Sequence, residues 1–204
     1  LVEIFVEKMP ILDTCRVLYA ANKKGVKVLG PASVGAISPG EGKLGSIGGP
    51  NPDRVFSKGT IGVISKSGGM TSELSMLLTN AGMGQSTAVG IGGDLLIGTN
   101  FSDLLLEFEK DRETKAVVAF GEVGGSSEIA AAKLIETGTF TKPFVVYLAG
   151  KFAESLPKDT SLGHAGAIVG LDFSMEEKIA VLKKSGVIVV EDFEDIPKSL
   201  KKVL

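Results

Sequence analysis

Between residues 59 and 204, short apolar runs rich in β-branched residues alternate with longer segments whose apolar positions recur at helical spacing. The runs 61–65, 87–91, 116–120, 144–148 and 187–190 read as strands. Between them, Met70, Leu74, Leu77 and Leu78 mark the buried face of one helix, Phe101, Leu104, Leu105 and Phe108 that of a second, and the apolar residues of 129–135 that of a third. Asn100 is placed to cap the second helix and Gly138 to end the third. Ser174 with Glu177 forms a capping-box pattern ahead of a fourth, which runs to Gly186. Asp192 is placed to cap a last one. Strands this apolar need cover on both faces, so the alternation predicts an α/β fold of flavodoxin-like type, a parallel sheet between two helical layers.

Upstream, 2–6 reads as a strand, 11–24 as a helix closing at Gly25, and 26–29 as another strand. This single βαβ unit is too small to stand alone. The stretch 31–59 is mostly glycine, proline, serine and lysine, and reads as an interdomain connection with short extended pieces. The chain opens on Leu1 and enters a strand-like run at once, so it reads as part of a longer polypeptide.

Composition removes several function classes. Lysine and arginine number 22 against 24 acidic residues, for a net charge of −2, so no basic field argues for nucleic acid or an anionic membrane surface. No apolar run approaches the ~18 residues of a membrane span. The one cysteine, Cys15, cannot form an internal disulfide, which suits a reducing compartment: the cytoplasm, or the mitochondrial matrix if the source is eukaryotic. Glycine is the outlier, at 27 residues, roughly twice ordinary usage.

Much of that glycine falls where a parallel sheet binds ligands, in the loops after the carboxyl ends of the strands. Ser67-Gly68-Gly69 feeds directly into a helix, and its free backbone N–H groups suit phosphate or carboxylate, although an ordinary tight turn with a serine cap would read the same. Glu122 follows the third strand, as a catalytic acid or as a solvated loop carboxylate. His164, the sole histidine, lies among glycine and alanine in a loop far longer than the usual 2 to 6 residues, which suits either a catalyst or a surface residue. A neutral imidazole is a good nucleophile toward phosphorus, and it needs a carboxylate to orient it and fixed positive ends for the phosphate. Glu122 and the start at Ser67 offer both.

Four ordered motifs then carry a resemblance over essentially the whole chain: Ser67-Gly68-Gly69-Met70-Thr71, the run Gly84-Gln85-Ser86-Thr87 through Gly92-Gly93-Asp94, Gly121-Glu122-Val123-Gly124-Gly125, and Gly163-His164-Ala165-Gly166-Ala167. They resemble the α subunit of succinate–CoA ligase and the homologous part of ATP-citrate lyase. The resemblance implies that His164 is phosphorylated, that Glu122 holds the phosphohistidine, and that the helix beginning Ser67-Gly68-Gly69 supplies one of two helix ends for the phosphate. It further implies a β subunit or region with an ATP-grasp site for ATP or GTP with magnesium, a small carboxylic acid substrate, and CoA. Residues 1–48 then correspond to the end of a Rossmann-like CoA-binding domain, 49–58 to a linker and 59–204 to the ligase domain. Phe5-Val6-Glu7 falls on a CoA-contact stretch, and the CoA glycine turn is expected upstream of Leu1.

The implied reaction makes succinyl-CoA from succinate, CoA and a nucleoside triphosphate, as in the tricarboxylic acid cycle. Ser72 stands where succinate-type subunits carry a tyrosine, and Ser67-Gly68-Gly69-Met70 is closer to citrate lyase, so citrate is the alternative acid. A non-catalytic binding module of the same fold is the reading from another class.

Overall fold

The computed structural model describes residues 1–170 and 172–204 and holds two sheets. In the smaller, β1 (Val2–Glu3) pairs in parallel with β2 (Val28–Leu29) across α1 (Ile11–Lys23). The strands are shorter than the apolar runs suggest, and Phe5 and Val6, beyond the end of β1, are exposed. Ile11, Leu12 and Tyr19 on α1 are exposed as well.

The larger sheet has seven strands in the order β4-β3-β6-β5-β7-β8-β9. Two of them come from the stretch expected to be a connection: β3 (Gly35–Ser38) and β4 (Gly42–Leu44) form an antiparallel hairpin, and β3 runs antiparallel to β6. The hairpin leaves no visible alternation because its strands have only four and three residues and the first opens on a glycine with a fixed duty. Gly35 has φ +93°, and a Cβ there would collide with the Leu44 carbonyl oxygen.

The other five strands are parallel: β5 (Lys58–Ser65), β6 (Gln85–Gly90), β7 (Ala116–Glu122), β8 (Phe144–Ala149) and β9 (Ile188–Val190). They are linked by α2 (Gly68–Asn80), α3 (Phe101–Lys110), α4 (Ser127–Glu136) and α5 (Met175–Lys184), and α6 (Ile196–Leu200) follows. Two apolar layers fill the two faces. Val117 and Ala119 of β7 pack with Phe101, Leu105, Ala131 and Leu182, so α3, α4 and α5 share one face. Val118 and Phe120 pack with Leu74, Leu78, Ile196 and Leu200, which puts α2 and α6 on the other. β7 is buried along its whole length, which is why its run is apolar without alternation.

Local signals agree with these boundaries. Asn100 and Asp103 exchange side-chain-to-backbone hydrogen bonds at the start of α3, and Ser174 and Glu177 do so at α5. Asp192 differs from expectation: it precedes a short 3-10 turn at Phe193–Asp195 and makes no capping bond.

Candidate functional site

Numbered by order along the chain, the five parallel strands lie 2-1-3-4-5, so the direction of winding reverses between β5 and β7. A crevice opens beyond the carboxyl ends of the strands at such a reversal. β5 delivers Ser65 and Lys66 to it, and β7, two residues longer than its expected run, ends on Glu122 itself.

His164 reaches this crevice from the loop between β8 and α5. A bridge between Ser161 and Ile168 and a turn closed by the Ala167 N–H on the His164 carbonyl oxygen make a small hairpin with His164 at its tip. The Gly166 N–H donates to the Gly93 carbonyl oxygen at 2.9 Å, which fastens the hairpin to the loop after β6. Nδ1 of His164 lies 2.9 Å from Oε2 of Glu122. Gly93 lies against the ring: a Cβ there would stand 2.6 Å from the imidazole Cγ, so only glycine admits the ring at this distance. The hydrogen bond with Glu122 raises the proton affinity of His164 above the ordinary histidine value, against burial, which lowers it. With Nδ1–H donated to the carboxylate, the lone pair of the neutral ring sits on Nε2. The His164 side chain is 31% exposed and that of Glu122 11%, so the ring is reachable from solvent and the carboxylate it bonds is largely covered.

Beneath the pair lies a buried cluster. Glu128, the second residue of α4, takes Lys66 Nζ on Oε1 at 3.0 Å and Lys178 Nζ on Oε2 at 2.9 Å. Lys178 also donates to the carbonyl oxygens of Glu122, at 2.9 Å, and Gly124, at 2.7 Å, and so fixes the end of β7. Burial pushes Glu128 up, but the two lysines outweigh it and hold its carboxyl below the usual range. Burial dominates at Lys178 and draws its ammonium down. Sequence reasoning did not single out Lys66, Glu128 or Lys178. The signal for Lys178 was its spacing, since it shares the buried stripe of α5 with Met175 and Leu182.

A cleft of about 240 Å³ adjoins the pair, lined by Lys66, Gly93, Glu122, Gly125, Ser126 and Ser127 among others. Gly124 and Gly125 have φ of +80° and +68°, and Ser126 leaves the start of α4 without a side-chain cap. Ser67, Gly68, Gly69 and Ser72 are not among the residues lining this cleft. Ser67 caps α2, its Oγ accepting from the Met70 N–H at 3.4 Å. Gly68 has a packing reason, because a Cβ would collide with Cγ1 of Val34, whereas the space around Gly69 is open. Ser72 is half-buried one turn into α2. Phe5, Val6 and Glu7 form an exposed stretch whose backbone is tied at Val6, where the carbonyl oxygen accepts the Ala32 N–H at 2.8 Å.

The family model described as CoA-ligase matches residues 64–178, a span that contains Lys66, Gly93, Glu122, Glu128, His164 and Lys178. The chain belongs to the CoA-ligase family. Among relatives of this CoA-ligase chain, succinate–CoA ligase [ADP-forming] subunit alpha 1 of Archaeoglobus fulgidus is 42% identical over 205 residues, covering 100% of this chain and 67% of that subunit. The ADP-forming sulfoacetate–CoA ligase subunit of an Acholeplasma species is 40% identical over 198 residues, with 96% and 64% covered. The solved structure of Methanosaeta concilii ATP citrate lyase in complex with (3S)-citryl-CoA superposes with a TM-score of 0.92 at 27% identity, covering 99% of this chain and 34% of that one. The chain thus spans about two thirds of the curated subunits it matches and a third of the lyase.

Proposed function

We propose that this chain carries the phosphoryl-relay part of a nucleotide-dependent acid–CoA ligase, with Nε2 of His164 as the relay atom. The observation that carries the reading is the 2.9 Å bond from Nδ1 to a nine-tenths-buried Glu122 at the strand-order reversal. In the first step Nε2 attacks the γ-phosphorus of ATP, and the N–P bond forms as the bond to ADP breaks. The ring gains positive charge, and Glu122 stabilises it. A carboxylate oxygen of the acid then takes the phosphoryl group from Nε2. The CoA thiolate attacks the resulting acyl phosphate at carbon and expels phosphate.

Lys66 and the uncapped start of α4 are suited to hold the phosphoryl oxygens near Glu122, and the start of α2 at Ser67, Gly68 and Gly69 to hold a second anion such as the acid substrate, with Ser72 beside it. The 2-1-3-4-5 order fits the flavodoxin-like reading. The unit of β1, α1 and β2 fits the end of a Rossmann-like CoA-binding domain. Because β3 and β4 pair into the large sheet, we place the boundary near residues 31–34 rather than 48–49. CoA would be met by Phe5, Val6 and Glu7, and ATP with magnesium by an ATP-grasp β subunit. ADP-forming relatives favour ATP over GTP.

Succinate is the first reading for the acid. Citrate is the second, favoured by Ser72 in place of an aromatic ring and by the lyase superposition. The test is to incubate the full-length protein and its partner with γ-labelled ATP and magnesium. Acid-labile, base-stable label is expected on the chain and absent in His164→Asn; equal labelling of that variant refutes the relay. Discharge of the labelled protein by succinate, citrate or sulfoacetate then identifies the acid.

A further inference from the structure

The loop after β6 touches three separate parts of the chain with three consecutive residues. Gly92, at φ +98°, packs on the Gly30–Pro31 segment, where a Cβ would collide with the Pro31 carbonyl oxygen. Gly93 lies against the His164 ring and accepts the Gly166 N–H. Asp94 reaches the segment that follows Phe5, Val6 and Glu7: Oδ1 accepts the Lys8 N–H at 3.0 Å and Oδ2 the Met9 N–H at 3.1 Å. That pair of hydrogen bonds to one carboxylate spans 86 and 85 positions of sequence and holds Lys8 at φ +55°, a conformation a lysine rarely adopts unaided. The Asp94 backbone continues the contact on the other side, since its carbonyl oxygen lies 3.0 Å from where a Gly166 Cβ would stand.

We propose that Asp94 is a positioning residue that couples segment 5–9 to the His164 hairpin. Its carboxylate clamps Lys8 and Met9, and the clamp sets the Gly93 platform on which the imidazole rests. The inference rests on the relay reading of His164 for its catalytic consequence, but not for the coupling itself. A rigid Gly93 keeps the ring in place while Nδ1 stays on Glu122. Any ligand that moves segment 5–9 would therefore be felt at the histidine. Glu7, next to the clamp, already acts on the ring through its charge, which favours the protonated form.

The test is Asp94→Asn, in which the amide keeps one acceptor and turns its donor toward the other N–H. In the full-length protein without nucleotide, hydrogen exchange should quicken about tenfold or more at Lys8 and Met9. It should also quicken several-fold at Gly166, whose bond is to Gly93 and not to Asp94. The buried β7 amides serve as the folding control and should not change. With ATP and the partner, the first-order rate of His164 labelling should fall several-fold. Faster exchange at Lys8 and Met9 with Gly166 and the labelling rate unchanged would overturn the coupling and leave Asp94 as a local pin. Should β7 loosen too, Asp94→Ser, with a single acceptor, replaces it under the same two outcomes. Absence of label in the unsubstituted protein would count against the relay, whereas exchange at Gly166 judges the clamp without any ATP.

Discussion

Replacing Glu122 tests the centre of the proposed relay. The unsubstituted pair is a charge-assisted hydrogen bond at 2.9 Å on a nine-tenths-buried acceptor, a class that contributes about 1.5–3 kcal/mol, against about 0.5–1.5 kcal/mol for a neutral pair. Glu122→Gln keeps an acceptor and removes the charge. It should therefore cost about 1–1.5 kcal/mol in the transition state, or roughly five- to tenfold in the plateau rate of His164 labelling. Glu122→Ala removes the whole bond and should cost about 10- to 150-fold. The end of β7 should hold in both, because Lys178 and Glu128 bind the backbone of residue 122 and not its side chain.

The pH dependence carries a sign. In the proposed relay the nucleophile is the neutral ring, so the labelling rate rises with pH through the raised pKa of His164. Without the carboxylate, burial and Lys66 still lower that pKa, and the limb moves to lower pH. The deficit of Glu122→Gln is therefore smaller at pH 6 than at pH 8. Stability runs the other way: a raised folded-state pKa stabilises fully below the unfolded value of 6.5 and fades as pH rises through the folded value, so the variant loses more stability at pH 6 than at pH 8. The assay is quenched-flow labelling with γ-labelled ATP across that range. A Glu122→Gln plateau equal to the unsubstituted one, with an unmoved limb, refutes both the orienting role and the charge argument.

Two further outcomes concern the fold under the site. Gly68→Ala drives a methyl into Val34 and should destabilise by about 1–3 kcal/mol in urea titration, and adding Val34→Ala should recover part of the loss; no recovery would mean the clash is not the cause. Lys178→Met leaves the Glu122 and Gly124 carbonyl oxygens without this donor and Glu128 with Lys66 as its remaining charged partner among the described residues. A loss of about 3 kcal/mol and a fall in Tm of roughly 6–12 °C are expected by thermal melting, and a change under ~2 °C would refute the structural role of the cluster.

The five parallel strands and the long helices were legible because burial on both faces writes an unbroken apolar run, and because caps such as Asn100 and Ser174 act within three residues. His164 and Glu122 were both singled out from the sequence, and their meeting followed from the carboxyl-end rule of parallel sheets. What was not legible depends on partners distant in sequence. Glu128 lies between two lysines 62 and 50 positions away from it, and Asp94 on amides 86 and 85 positions away, and no local pattern encodes such distances. The hairpin of β3 and β4 was hidden by the shortness of its strands and by Gly35, which is dictated by close approach of the Leu44 backbone rather than by periodicity.

That hairpin also governs how the molecule meets others. A sheet that stopped at β6 would offer a six-residue rim of unsatisfied N–H and C=O groups to any passing strand. β3 pairs with the Ala88–Gly90 half of that rim, and the outermost strand becomes β4, three residues long with exposed Lys43 at its centre. The opposite margin, β9, is also three residues long, so the sheet tapers from the eight residues of β5 to margins too brief to template a neighbour. Assembly by strand addition is thereby discouraged on both sides, which leaves a lasting union with another polypeptide to side-chain surfaces.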